Sequence, residues 1–571
     1  MIADFPPALI MILGALLVPL LRGRVRAAYL LALPVVSFGH LLSLPHGESA
    51  PLGLFGYELT VVRIDALSLL FGYLFHLAAL IGLIYALRVR SAAEQSAALV
   101  YAGGAIGAVF AGDLITLFVF WEILAVSSVF LIWARKTERS YRAGMRYLIV
   151  QLASGMILFA GIVLNAHETG SIAFDAAHLG LNGTGTLLIF IALGIKGVFP
   201  LLHNWATDAY PEATVTGAVF LSAFTTKVAV YALARGFPGA EIGGVRVLIL
   251  LGAAMAAFPI FYAVIENDLR RVLVYSMINQ IGFMMVGIGI GTELAINGAV
   301  SHAFNDVLFK GLLFMSMGAV LYRTGKIKGS ELGGLYKSMP VTTVLCMIGA
   351  ASISAFPLFS GFVSKSMVMS AALKEGYGWV WLVLLFASAG VFHHAGIKIP
   401  FFAFFAHDSG LRCKEAPRNM LIAMGIAAAF CMFNGMFPNA LLYRLLPYEV
   451  DYIPYTSTHV ISQLQLLFFS ALCFTWLKHS GLYPPELRSV NLDSDWIYRR
   501  LLPGVATVVK RFGTGLRDRA EGLTERALRG ALSGVYRHHG PEGVLARSWA
   551  TGSSVIWVCI LLLLCLIVYY R

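Results

Sequence analysis

Charge inside apolar sequence constrains this chain more than any other feature. Lys196 and Lys227 both lie within LGIKGVFPLLHNWATDAYPEATVTGAVFLSAFTTKVAVYALAR, whose apolar runs are long enough to be membrane helices. An ammonium ion there costs about 2.5 to 3.5 kcal/mol on insertion scales unless it faces a polar interior or gives up its proton. Pro200, four residues after Lys196, removes a backbone hydrogen bond and predicts a helix break beside the charge. The arrangement recurs downstream, where Pro357 and Gly361 interrupt SAFPLFSGFVSKSMVM and Lys365 follows. Paired broken helices in two halves of a membrane chain point to an ion site near the bilayer midplane.

Apolar runs of membrane length recur throughout, so a polytopic helical membrane protein is expected. The expected spans are 6–21, 27–45, 60–87, 96–111, 114–134, 145–165, 186–203, 214–235, 245–265, 272–291, 294–321, 340–374 (broken), 378–405, 419–437, 460–477 and 553–570. The start MIADFPP has no basic region before the first apolar run, which reads as a retained helix with its N-terminus outside. With that orientation 31 of the 42 Lys and Arg fall in loops on the cytoplasmic side and six, including Arg571, on the other. The net charge of +12 thus follows from the positive-inside bias and needs no nucleic acid. The chain is expected in the cell inner membrane with its basic loops and residues 478–552 cytoplasmic and its C-terminus outside.

Residues 478–552 differ from the rest, with basic and apolar positions at helical spacing in VATVVKRFGTGLRDRAEGLTERALRGALSGVYRHH. That pattern predicts an amphipathic helix along the membrane surface or along partner subunits, or else a partly helical linker. The span 553–570 carries no charged residue and reads as an anchor. The six cysteines are scattered, without a CxxC or neighbouring His cluster, so no disulfide framework and no metal site is expected. No Rossmann fingerprint, Walker loop, iron–sulfur set or haem motif is present, so no cofactor is expected and any redox chemistry belongs to partners. YAGGAIGAVFAG from Tyr101 reads as close helix packing, because no strand precedes it.

Several stretches together resemble a known family: FWEILAVSSVFLI around Glu122, IKGVFPLLHNWATDAYPEAT around Lys196, DLRRVLVYSMINQIGF from Asp268, HAFNDVLFKGLLFM from His302, LGGLYKSMPVT from Leu332 and FPLFSGFVSKS around Lys365. They resemble the antiporter-like subunits of respiratory complex I and the large subunits of Mrp-type sodium/proton antiporters. The resemblance implies an all-α polytopic protein with a fourteen-helix core built from two inverted five-helix repeats with broken helices. Beyond the core it implies a C-terminal amphipathic lateral helix and a final anchor. The corresponding divisions are 1–95 for N-terminal helices, 96–235 and 236–405 for the repeats, 406–477 for C-terminal core helices, 478–552 for the lateral region and 553–571 for the anchor.

The same resemblance makes Glu122 the carboxylate partner of Lys196, Lys227 a bridge, His302 and Lys310 a central relay, and Lys365 the terminal exchange site. His302, Asp306 and Lys310 stand at i, i+4 and i+8 and are expected on one helix face, with Asp306 paired to Lys310. Two positions depart from the family pattern. Asp306 replaces a histidine usual in the far-end member of the complex I set, and Ala206 and Thr207 replace a Leu-Pro after Trp205, which unsettles the bend there. Lys398, near His393 and His394, either extends the pathway or snorkels; Asp65 either matches a family position or pairs with Arg63; His203 resembles a family position.

The implied function is a proton-translocating subunit of a larger membrane complex, in the first place a Na+/proton antiporter. Two alternatives stand beside it: a proton-pumping subunit of a complex I-like NADH:quinone oxidoreductase or membrane-bound hydrogenase, and an ion-driven partner of an inorganic-carbon (CO2) uptake enzyme. Implied partners are other membrane subunits, protons and Na+, a soluble redox or carbon-hydrating subunit, and the lipid bilayer. A scaffold that has lost transport is disfavoured by the intact set of ionisable residues.

Overall fold

The computed structural model describes residues 5–54, 56–177, 179–484, 491, 493–547 and 550–570. Residues 485–490, 492, 548 and 549 of the expected lateral region, Met1 to Asp4 of the start, and Arg571 lie outside the described residues. The chain divides into two compact units, 1–491 and 492–571.

In the first unit the helices are α1 (Pro7–Gly14), α2 (Gly23–Ser43), α3 (Ala66–Tyr85), α4 (Ala92–Phe110), α5 (Leu114–Trp133), α6 (Glu138–Thr169), α7 (Thr184–Lys196), α8 (Asn204–Ala209), α9 (Gly217–Ala223) and α10 (Thr225–Gly236). There follow α11 (Val247–Ile265), α12 (Leu269–Ile290), α13 (Glu293–Thr324), α14 (Pro340–Ile353), α15 (Ser360–Lys374), α16 (Gly378–Val391), α17 (Arg418–Met436) and α18 (Ser457–His479). Among the described residues, 12 helical segments of the whole chain are long and apolar enough to cross a membrane, and Pro7–Leu20, Thr184–Lys196 and Pro340–Ile353 are shorter apolar helices. The chain is a multi-pass membrane protein. The glycine-rich part of α4 packs as expected: a Cβ on Gly103 would strike Ile12 of α1, and one on Gly107 would strike Phe120 of α5.

One element was not expected. Residues Gly47–Leu54 and Tyr57–Ile64 form an antiparallel hairpin, β1 and β2, so the span expected at 60–87 starts only at Ala66. Asp65 ends the strand and caps α3, accepting from Ser68 N–H at 2.9 Å in a reciprocal capping box.

The two breaks are copies of one turn. After α7, Val198 N–H reaches Ile195 O (3.3 Å) and Phe199 N–H reaches Gly194 O (3.0 Å); after α14, Ala355 N–H reaches Ser352 O (3.1 Å) and Phe356 N–H reaches Ala351 O (3.0 Å). These pairs of bonds are Schellman caps, which normally want glycine at the left-handed position. Here Val198 (φ 55°) and Ala355 (φ 58°) occupy it, and Leu201 (φ 69°) and Leu358 (φ 75°) are left-handed three residues on. Four strained residues at two sites, each costing about 1–3 kcal/mol, persist only where the surroundings impose them. The helices therefore end through their caps, and Pro200 and Pro357 follow as stops. The segment after Trp205 runs on as α8, and the chain turns at Tyr210–Glu212.

In the second unit α19 (Leu502–His539) and α20 (Thr551–Tyr569) are helical. α19 spans about 57 Å at 1.5 Å per residue; it exposes Val505, Val508, Phe512, Leu516 and Leu523 at helical spacing, and Arg517 pairs with Glu521 at 2.6 Å. α20 is apolar from Val555 to Val568, as an anchor requires.

A row of buried charges between two helix breaks

Lys196 is the last residue of α7 and is fully buried. Its Nζ donates to Trp121 O of α5 at 2.6 Å and lies 4.2 Å from the centre of the Trp121 ring. The expected partnership with Glu122 is electrostatic and not a direct ion pair: the two charges act on each other, but among the described residues no ion pair within 4 Å joins them, and Glu122 Oε1 has no hydrogen-bond partner. The reason is helical geometry, since consecutive residues point about 100° apart and Trp121 meets Lys196 while Glu122 faces Gly155 of α6. Glu122 also lines an open groove of about 540 Å³ with Ala93, Ser96 and Val126.

Gly155 is what makes room for that carboxylate, because a Cβ there would lie 1.5 Å from Glu122 Oε1. Gly155→Ala is expected to displace Glu122 and cut transport several-fold. Its stability cost should be about 1 kcal/mol, since a flexible side-chain end can yield. Transport and melting of this variant side by side check the point; unchanged transport would remove Glu122 from the pathway.

Lys227 sits just past a further discontinuity, at Phe224 between α9 and α10, and its Nζ donates to Ser222 O (3.1 Å) and pairs with Asp306 Oδ2 at 2.6 Å. Both partners have zero exposure. This corrects the expected Asp306–Lys310 pairing: Lys310 instead donates to Ser276 Oγ of α12 at 2.8 Å. The sequence shows only neighbours on one helix, whereas α10 brings Lys227 across to α13.

The row continues along α13. His302 Nδ1 meets Ser364 Oγ at 2.9 Å, and Nε2 meets Gln280 Oε1 at 3.2 Å. Lys365, on α15, donates to Ile353 O at 2.7 Å and stands 5.2 Å from the Phe283 ring centre; the His302 ring is 5.9 Å from the same phenyl. Thus α12 supplies a polar backing for α13, with Ser276 and Gln280 one turn apart. Sequence reading missed both, although their i, i+4 spacing on an apolar helix was a usable signal.

The remaining candidates make none of the row's hydrogen bonds, although the fully buried His394 interacts electrostatically with both Lys310 and Lys398. Lys398 ends a π-helical stretch, Phe392–Lys398, and its Nζ caps the end of α11 through Val264 O (2.6 Å), Glu266 O (2.7 Å) and Ala263 O (3.3 Å), a structural task in place of snorkelling. Arg235, not Arg63, is the main partner of Asp65: its Nη2 donates to both carboxylate oxygens at 2.7 and 2.8 Å, while Arg63 stands at 3.5 Å. Burial pushes the Asp65 pKa up, but Arg235, the Ser68 N–H and Arg63 outweigh it and hold the carboxyl below its usual value. His203 lies tilted against Phe258, 4.9 Å between ring centres. An acid that sequence reading missed, Glu94 in the first turn of α4, accepts from the Thr214 and Thr216 hydroxyls at 2.6 Å each.

Against known proteins, the family described as NADH:quinone oxidoreductase/Mrp antiporter, TM, matches residues 111–438. Hydrogenase-4 component B of Escherichia coli K12 is 28% identical over 353 residues, 56% of this chain and 52% of that protein. One subunit of the Na(+)/H(+) antiporter of Alkalihalophilus pseudofirmus is 30% identical over 438 residues, 67% of this chain and 53% of that protein. The chain spans about half the length of these two relatives. A chain of the archaeal membrane-bound sulfane sulfur reductase shares the fold with a TM-score of 0.70 at 24% identity, covering 98% of this chain and 99% of that one. A chain of the Mrp complex from Dietzia sp. DQ12-45-1b does so with 0.68 at 21%, covering 83% and 99%. The fold is the antiporter-like helical core with broken helices, followed by a long amphipathic helix and a final apolar helix. More than half of the chain is matched by one family over the stretch that carries the row from Glu122 to Lys365, and the chain belongs to that transmembrane family of NADH:quinone oxidoreductase and Mrp antiporter subunits.

Proposed function

We propose that this chain is the proton-translocating subunit of a multisubunit membrane complex that exchanges protons for a cation, Na+ in the first place. Protons move along Glu122, Lys196, Lys227, Asp306, Lys310, His302 and Lys365. The observation that carries the reading is the Lys227–Asp306 pair, 2.6 Å apart at zero exposure inside a membrane helix bundle. A buried pair of this kind does not stabilise a fold better than apolar packing would, so its presence asks for another purpose. Asp306 lies one turn from Lys310 on α13, so a rotation of its side chain would exchange one lysine partner for the other. Each exchange leaves one ammonium uncompensated and ready to release its proton, which turns the pair into a switch.

The positive-inside bias supports a placement in the cell inner membrane, with the basic loops and 478–552 cytoplasmic and both termini outside. A second reading, a proton-pumping subunit of a redox-driven membrane complex, is favoured by the fold match to the membrane-bound sulfane sulfur reductase chain. That match covers 98% of the chain, against 83% for the Mrp chain. Purifying the native complex, identifying its subunits and measuring proton flux against a Na+ gradient in vesicles tests both. Flux that needs a redox donor and ignores Na+ would overturn the antiport reading.

Removing residues 488–571 is expected to impair assembly or coupling more than insertion of the preceding helices. Co-purification of the truncated chain with its partners, together with normal transport, would show that α19 and α20 do not serve the complex.

A further inference from the structure

The interruption between α9 and α10 differs in kind from the two Schellman breaks. Those are followed by Pro200 and Pro357, so the sequence makes them permanent. Here neither proline nor glycine stands between Gly217 and Gly236, yet the helix is interrupted at Phe224. Ser222 Oγ folds back on Val219 O at 2.8 Å, which bends a helix but does not open it. An opening without proline or glycine calls for a side chain inserted into the backbone ladder. That side chain is Tyr101 of α4. Its hydroxyl accepts from Thr225 N–H, the first amide of α10, at 3.0 Å and bonds Thr225 Oγ1 at 2.6 Å; its ring stands edge-on to Phe224, 5.3 Å between centres. Tyr101 and Thr225 are both buried. In a continuous helix this N–H would go to Leu221 O, and Thr226 N–H to Ser222 O. Instead Ser222 O is taken by Lys227 Nζ at 3.1 Å. Two bonds of the ladder are thus replaced, one by a phenol and one by the ammonium that meets Asp306.

We propose that Tyr101 is a positioning residue for the proton path: its hydroxyl holds the joint between α9 and α10 open, and the open joint is what lets Lys227 reach Asp306. The proposal deepens the proton-relay reading and rests on it. Both arrangements of the joint make the same number of hydrogen bonds, so a single contact can tip the balance between them. Open, Tyr101 holds Thr225 N–H and Lys227 holds Ser222 O. Closed, Leu221 O and Ser222 O return to the backbone amides, and Lys227 loses its carbonyl and turns with the first turn of α10. Whenever Asp306 swings towards Lys310, the attraction that keeps Lys227 forward is withdrawn. Tyr101 carries no charge and keeps the joint open through that step, so the ammonium is still in place when the carboxylate returns. The hydroxyls of Tyr147 and Tyr210 also act on Thr225, but neither takes its N–H, and Tyr147 bonds Ser128 Oγ at 2.8 Å.

The test is the structure of the assembled complex and its proton flux in vesicles, measured on the same variants. Tyr101→Phe keeps the ring and removes the hydroxyl alone. In it α9 and α10 should join, with Thr225 N–H on Leu221 O and Lys227 Nζ off Ser222 O, and flux should fall at least about tenfold. Adding Thr225→Pro separates positioning from proton carriage. Proline has no N–H to give Leu221 O and suits the first position of a helix, so the joint should stay open without the phenol and most of the flux should return. Tyr147→Phe is the control and should leave both joint and flux near wild type. If Tyr101→Phe fails to assemble, Thr225→Pro alone reads the same joint and should transport near normally. An open joint in Tyr101→Phe would overturn the proposal, as would full flux with the joint closed. Flux lost in either proline variant while its joint is open would overturn it too. Normal flux in Lys227→Met would instead bring down the relay reading itself.

Discussion

Asp306→Asn is expected to destabilise the assembled chain by about 3–5 kcal/mol and to stop transport, because it leaves the Lys227 ammonium buried and without its counter-charge. Asparagine matches aspartate in shape, so the loss would measure charge and not packing. Removing both charges is the discriminating step. Lys227→Met with Asp306→Leu replaces the pair by apolar side chains of similar volume, which is often neutral or stabilising for a buried pair. The double variant should therefore regain most of the lost stability while remaining unable to move protons. Melting of the purified complex, paired with proton flux in vesicles, separates the two effects. Wild-type flux in the double variant would show that the pair only holds helices together. Asp306→His should keep more flux than Asp306→Asn, since an imidazole can still take and release a proton.

Much of this arrangement was legible in the sequence, for a physical reason. Membrane helices must satisfy their own backbone, so a long apolar run has few structural options, and lysine within such a run stands out. Hence the helices, the breaks at Lys196 and Lys365, and the set of buried charges could be read directly. The pairing could not. Asp306 has Lys310 one turn away in sequence, but the nearer ammonium in space belongs to Lys227, 79 positions earlier. Asp65 likewise has Arg63 beside it and takes Arg235 from the far end of α10. Side-chain partners drawn from other helices leave no periodic trace. The hairpin at 47–64 was hidden because TVV runs on to the apolar start of α3 with only Arg63 and Asp65 as polar interruptions, so its second strand read as the first turns of a span. The carbonyl cap made by Lys398 was hidden too, because it depends on where α11 stops.

A second large effect of a single charge should come from Lys196, and it should differ in kind from that of Asp306. Lys196→Ala removes an ammonium whose direct contacts are one backbone carbonyl and one indole face, and although Glu122 feels its charge, no ion pair within 4 Å is broken. The stability loss should then be limited to one unsatisfied carbonyl and a small cavity, about 1–3 kcal/mol. Insertion and assembly should survive. Transport should fall at least a hundredfold if protons pass through this position, because no neighbouring group of α7 can replace the amine. Lys196→Arg sharpens the question. It keeps the positive charge, the carbonyl contact and the stacking on Trp121, yet guanidinium does not release its proton in proteins. A structural or purely electrostatic role would be rescued by arginine, whereas a proton-carrying role would not. Flux in vesicles carrying equal amounts of assembled Lys196→Ala and Lys196→Arg complexes decides between them: transport lost in both places Lys196 on the proton path, and near-normal flux with arginine would reduce it to a fixed charge.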